Sequence, residues 1–193
     1  MNAAVRSAAA YFRWPEIAVV GSMAVYGCLD DSTFEFLFGT DDVDLFPFGT
    51  DITHEKYIDA HAELGDDSEF HQDHGFYVDT VRRHVPRLPA GWEQRAVRRP
   101  AGSATIGDRE VIVTAVFPEI HDLTASKVAL SRPNDIRFLE ELAKKGLIQR
   151  DKLLAALGAI ETSQPAVDLA RRNVGRAFGV DPSPYEFRGE RPR

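Results

Sequence analysis

Apolar positions along the chain follow two regimes that meet near Pro118. Before that point they form short runs and alternations between helical stretches; after it they recur only with a helical period. The Ala-rich segment 2–13 predicts a helix, ended by Trp14-Pro15 because the residue before a proline is driven out of the helical region. Ile17-Ala18-Val19-Val20 predicts a buried strand. Gly21-Ser22 interrupts it, and Met23–Leu29 predicts a helix for which Ser22 is the expected N-cap. Asp30–Thr40 is expected to be a loop with a short strand at Phe34–Leu37. Asp42-Val43-Asp44-Leu45-Phe46 alternates polar and apolar, as a half-buried strand does.

Thr53 is expected to cap a helix reaching Leu64, and Phe76–Val81 is a further strand candidate. Residues 84–91, with two prolines and a glycine, predict a loop. Ser103–Val116 predicts a hairpin turning at Gly107-Asp108. Helices are expected at 119–130, 133–145, 150–161 and 165–178, with Pro133 in a first turn and Gly146 at a C-terminus. The order predicts an α+β core over 1–117, a C-terminal helical part over 118–180, and a Pro- and Arg-rich tail over 181–193 expected to be disordered.

A chain of 193 residues is long enough to bury a core without covalent staples, and with Cys28 as its one cysteine it forms no internal disulfide. The N-terminus lacks the pattern of a signal peptide, and no apolar run approaches the roughly 20 residues of a membrane span, so a cytoplasmic protein is expected. A net charge of -7 argues against coating long nucleic acids by charge alone. Locally, Arg82, Arg83, Arg87, Arg95, Arg98 and Arg99 make the middle of the chain basic. His71 and His74 lie near Asp73, but no further cluster of metal ligands surrounds them.

Two features carry candidate chemistry. Asp42 and Asp44 stand two apart on a predicted strand and so share one face. Two close carboxylates repel unless neutralised, and a hard divalent ion such as Mg²⁺ (or Mn²⁺) does so while also taking substrate phosphates. Gly21-Ser22 follows a strand and opens a predicted helix, where free N–H groups, a glycine and a hydroxyl suit a phosphate. Each alone is also explained by an acidic turn or a capped strand-to-helix turn. Together they are the two parts needed to activate a nucleoside triphosphate.

A strand ending in Gly21-Ser22, a helix, then Thr40-Asp41-Asp42-Val43-Asp44 resembles the nucleotidyltransferase superfamily, the polymerase-beta-like fold. His121-Asp122-Leu123-Thr124-Ala125-Ser126-Lys127 followed by Arg132-Pro133-Asn134-Asp135 resembles segments of bacterial AbiEii-like nucleotidyltransferases, which include toxins of type IV toxin–antitoxin systems. Leu88–Arg95 is similar to a segment of small uncharacterised members, so the likeness spans about residues 17–148. The resemblance implies a minimal nucleotidyltransferase core with a mixed sheet flanked by helices. It implies that Gly21, Ser22 and Thr40 hold the triphosphate, and that Asp42 and Asp44 bind Mg²⁺ with Asp79, or failing it Glu110, as third carboxylate. Lys127 would offset phosphate charge, Asp135 would position or deprotonate an acceptor hydroxyl, and Arg132 would line the same wall. The implied reaction moves a nucleoside monophosphate from a triphosphate to a tRNA, protein or small-molecule hydroxyl, in a protein that pairs with an antitoxin if it is a toxin. Phe38 and Asn134 depart from the group's pattern, standing where arginine and lysine are usual. They keep open a second expectation, a catalytically degenerate binding or regulatory protein.

Overall fold

The computed structural model describes residues 1–29 and 40–180. The expected strand at Phe34–Leu37, Phe38 and the tail from Asp181 lie outside the described residues. The fold is α+β, a five-stranded mixed sheet flanked by helices and followed by a helical C-terminal part. The strands are β1 (Glu16–Val19), β2 (Asp42–Pro47), β3 (Tyr77–Thr80), β4 (Val97–Ile106) and β5 (Arg109–Phe117), in the spatial order β3-β2-β1-β5-β4. β1 is antiparallel to β2 and parallel to β5; β2 and β3 are parallel, and β4 and β5 form the expected hairpin. The helices are α1 (Asn2–Phe12), α2 (Val25–Cys28), α3 (His54–Leu64), α4 (Glu69–His74), α5 (Trp92–Arg95), α6 (Ile120–Leu130), α7 (Pro133–Lys144), α8 (Arg150–Gly158) and α9 (Gln164–Ala177). No described helix is long and apolar enough to cross a membrane.

Strand alternation divides the sheet into two unlike faces. Ile17, Val19, Val43, Leu45, Val78, Ala115 and Phe117 belong to a large core that includes α1 and α3 and runs on into α6–α9. The opposite face carries a smaller cluster of Ala18, Val20, Phe46, Val116 and Trp92, with Phe48, Val81 and Leu88 packed around it. Trp92 meets Phe46 and Phe48 edge to face, at 6.4 and 5.7 Å between ring centres. Asp42 and Asp44 precede Phe46 in steps of two, so they lie on this second face, beyond the end of its apolar patch.

Local chemistry explains the boundaries of α3 and α4. Thr53 Oγ1 accepts from the Lys56 N–H, making Thr53 the N-cap of α3, as its sequence predicts. Ser68 caps α4 in the same way by accepting from the His71 N–H, and Gly75 ends that helix at φ 70°. The expected helix at Met23–Leu29 is shorter. Residues 21–24 form a turn, and α2 starts after Ala24, so Ser22 caps nothing. α2 lies tight against β5: a Cβ on Gly27 would stand 2.2 Å from the Phe117 ring.

α6 is buried on nearly every side from Ile120 to Ala129, the mark of a central helix rather than a surface one. Its polar residues therefore need partners. Asp122, 2% exposed, accepts two hydrogen bonds from the Arg95 guanidinium, at 2.9 Å from Nε and 3.0 Å from Nη2. His121 Nε2 accepts from the Gln149 N–H at 2.9 Å, which leaves Nδ1 to donate to Glu119 Oε1 at 2.7 Å. Ser126 donates to the Pro86 carbonyl, tying the loop after β3 to the helix.

Removing Arg95 would strand a buried carboxylate. Arg95→Leu is expected to lower the unfolding free energy by about 2–3 kcal/mol, read as a lower urea midpoint. Most of that loss should return in Arg95→Leu/Asp122→Asn, where the orphaned group is uncharged.

Candidate functional site

The cross-strand register brings together carboxylates that are far apart in sequence. β2 and β3 pair with Asp44 opposite Asp79, and Asp42 is two residues along β2 on the same face. One oxygen of each can be chosen so that all three lie within 4.8 Å of one another. Burial raises the Asp44 carboxyl from its ordinary 3.8 to about 6, with Asp42 and Asp79 adding to the rise; Lys127 and Arg132 oppose it. Asp79 is raised too, by burial and then Asp42, with His61 opposing. Glu110, the other candidate for a third carboxylate, stands on the hairpin, where it accepts from Ser103 Oγ at 2.5 Å.

Gly21 makes room for this cluster. Its φ is +66°, and a Cβ there would lie 1.7 Å from Asp44 Oδ2. Glycine is thus required both by the backbone turn and by the carboxylate against it. Ser22 follows in the same turn, and its Oγ accepts from Lys127 Nζ at 3.1 Å. Thr40 Oγ1 donates to Asp42 Oδ1, orienting that carboxylate.

The facing wall comes from α6 and the start of α7. Lys127 is 8% exposed; its ammonium lies 3.8 Å from Asp135 Oδ1 and 5.2 Å from the centre of the Phe138 ring. Burial lowers its pKa, while Asp135 and Asp44 act in the opposite direction. Arg132, largely exposed, donates from Nε to Asp135 Oδ2 at 2.8 Å, and its backbone N–H reaches the same oxygen at 3.3 Å. Asp135 is expected from the resemblance to serve an acceptor hydroxyl. In the structure its contacts are those of a group that holds two cations and the first turn of α7.

These residues line one cavity of about 750 Å³: Gly21, Ser22, Thr40, Asp42, Asp44, Asp79, Lys127, Arg132, Asn134 and Asp135 all face it. A family model described as nucleotidyltransferase of unknown function (DUF6036) matches residues 7–169. The chain belongs to this family. No curated protein and no solved structure matches it. For a DUF6036 chain, family membership points to nucleotidyl transfer as the general chemistry and to a triphosphate as substrate. The acidic cluster fits the divalent metal such chemistry uses, because its three donors are hard oxygens and their charge still raises the Asp44 carboxyl with Lys127 and Arg132 opposing.

The basic stretch does not form one surface. Arg95 holds Asp122, Arg99 donates to the Gly27 carbonyl at 2.7 Å, and Arg98 lies 3.7 Å from Glu16 and over the Phe48 ring. Arg83, His84 and Arg87 line a separate cavity of about 630 Å³ beyond Leu88. A second acidic group, Asp66, Asp67 and His71, has the spacing of a metal site, but Asp66 and Asp67 are exposed and the Asp67 N–H donates to His71 Nδ1. Phe138, which stacks under Lys127, was not singled out by sequence; its signal is its place three residues after Asp135 on the apolar stripe of α7.

Because Asp44 keeps its proton to a higher pH when folded, the metal-free protein should lose stability as pH rises from 3.8 through about 6. Asp44→Asn is therefore expected to stabilise the protein in EDTA at pH 8 by about 2 kcal/mol, with no gain below about pH 4, measured by urea unfolding. Gly21→Ala should weaken Mn²⁺ binding by about tenfold or more in calorimetry, since it displaces Asp44.

Proposed function

We propose that this protein is a metal-dependent nucleotidyltransferase that moves a nucleoside monophosphate from a nucleoside triphosphate to an acceptor hydroxyl. The observation that carries this reading is the opposition of charge across one cavity. Three carboxylates stand on the sheet wall, and Lys127 and Arg132 stand on the helical wall. Asp42, Asp44 and Asp79 would hold Mg²⁺ or Mn²⁺, which when bound neutralises phosphate oxygens and the charge that develops on them. The Gly21-Ser22 turn, Thr40, Lys127 and Arg132 would receive the triphosphate. With α2 only four residues long, that role falls to the turn itself and to Lys127 beside Ser22, rather than to a helix dipole.

In the reaction the acceptor oxygen forms a bond to the α-phosphorus. The bond from that phosphorus to the bridging oxygen breaks, pyrophosphate leaves with the bonding electrons, and the hydroxyl proton passes to a carboxylate or to water. Lys127 offsets negative charge on the phosphates. Its lowered pKa lies in the direction expected of a buried ammonium, and Asp135 keeps it directed at the cavity. Most of the catalysis on this reading is positioning and charge neutralisation.

The likeness of His121–Lys127 and Arg132–Asp135 to AbiEii-like proteins supports a finer reading, a cytoplasmic type IV toxin with an antitoxin partner. A tRNA acceptor would draw on Arg82, Arg83 and Arg87, whose contacts with His54, Glu93 and Thr162 lie at the exposed surface, while Arg95 and Arg99 hold part-buried contacts with Asp122 and the Gly27 carbonyl. Asn134, at the cavity wall where the resembled group usually has lysine, favours a second reading: a protein that binds nucleotide without turning it over.

Incubation with each α-labelled triphosphate, Mg²⁺ or Mn²⁺, total RNA and cell lysate should transfer label to an acceptor. Asp42→Ala and Asp44→Ala should reduce that transfer by a factor on the order of 10³ or more. Triphosphate binding by calorimetry with no transfer in any fraction would leave the binding-protein reading in its place. Equal metal-dependent heats from wild type and Asp44→Ala would refute the metal site.

A further inference from the structure

A second cavity, of about 140 Å³, adjoins the first. Gly21, Asp44, Lys127 and Arg132 line both, so the partition between the two cavities is the site itself. The rest of the smaller cavity differs in kind. Its walls are chiefly aliphatic: Val20, Val81, Val85, Leu88, Leu123 and Leu130. The Ser126 hydroxyl also faces it, but its hydrogen is engaged by the Pro86 carbonyl. Val85 is 51% and Leu130 37% exposed, so an apolar lip of two large side chains stands open to solvent.

Such a cavity sorts ligands by chemistry. Its size is close to that of an apolar cavity of about 150 Å³ that accepts benzene. A nucleobase would bury ring nitrogens and exocyclic groups among Val and Leu side chains with few partners, which is costly. A compact hydrocarbon body loses nothing there. The charged partition then sets the other end of the ligand, where a hydroxyl can face Asp44 and Lys127. A triphosphate in the 750 Å³ cavity and an acceptor in the small one would both lie against Gly21, Asp44, Lys127 and Arg132.

We infer that the 140 Å³ cavity between β1, the loop after β3 and α6 is the acceptor pocket, and that the acceptor is a small hydroxyl compound with a compact aliphatic or aryl body. This rests on the transferase reading above and selects the small-molecule acceptor within it, against an RNA end.

The test uses the full chain with methyl-labelled Val and Leu and benzyl alcohol as probe. Benzyl alcohol is expected to shift the methyl resonances of Val81, Val85, Leu123 and Leu130, while glycerol and adenosine leave them unmoved. Val85→Trp and Leu130→Trp fill the mouth from exposed positions that the core does not need. Each should weaken the probe by about tenfold or more, which corresponds to about 1.4 kcal/mol. Calorimetric affinity for ATP, GTP, CTP and UTP with Mn²⁺ should be unchanged in both variants. If a triphosphate binds and benzyl alcohol moves none of these methyls, the pocket assignment alone is overturned. The same holds if neither tryptophan weakens the probe, or if adenosine takes the pocket more tightly than benzyl alcohol. If benzyl alcohol binds and no triphosphate does, the transferase reading falls and takes the acceptor assignment with it.

Discussion

Three carboxylates held close together by strand register are the constraint around which the rest of this site is arranged. Register puts Asp44 beside Asp79, and the two-residue repeat of β2 puts Asp42 on the same face. Asp42 and Asp79 both add to the rise in the Asp44 pKa. The neighbouring elements answer that charge in different ways. Gly21 withdraws a side chain so that Asp44 can occupy the turn, and Thr40 fixes Asp42 with a hydroxyl hydrogen. Lys127 and Arg132 supply positive charge from across the cavity and oppose the rise in the Asp44 pKa. Asp135 engages both of those cations from the first turn of α7.

α6 connects this site to the fold. A helix buried all round is an unfavourable place for Asp122, His121, Ser126 and Lys127 unless each has a partner. Each does, and each partner lies on a different segment: Arg95 on α5, Gln149 at the start of α8, Pro86 in the loop after β3, and Ser22 in the turn after β1. The polar side chains of one helix thus set the relative positions of the sheet, the loop and the last helices. The hydrophobic core supplies the bulk of the stabilisation, while these directional contacts select the arrangement.

The sequence was most legible where structure is decided locally. The alternation of Asp42–Phe46, the cap at Thr53, the turn at Gly107-Asp108 and the proline at the start of α7 all act within a few residues. α4 has equally local signals, Ser68 as cap and Gly75 as stop, but Phe70 is its one buried residue, too few to show a helical period. Ser22 is the opposite case: its type and place suggest a cap, but the turn continues to Ala24, and the hydroxyl meets Lys127, 105 residues away, instead. Asp79 and Glu110 looked alike in sequence because only the pairing of β2 with β3 separates them. The burial of Lys127 was illegible for a related reason. An alternation of small, polar and apolar residues in α6 reads as a mixed surface until α2, α7, α8 and α9 close around it.

The loop between β3 and β4 is pinned to α6 at two places, Pro86 through Ser126 and Arg95 through Asp122. Its span carries Val85 and Leu88, yet it holds none of the three sheet carboxylates, which belong to β2 and β3. The carboxylate cluster and part of the neighbouring apolar wall are therefore encoded in separable stretches of the gene. Residue changes in this loop, at Val85 or Leu88, can remodel the wall while the strands stay as they are.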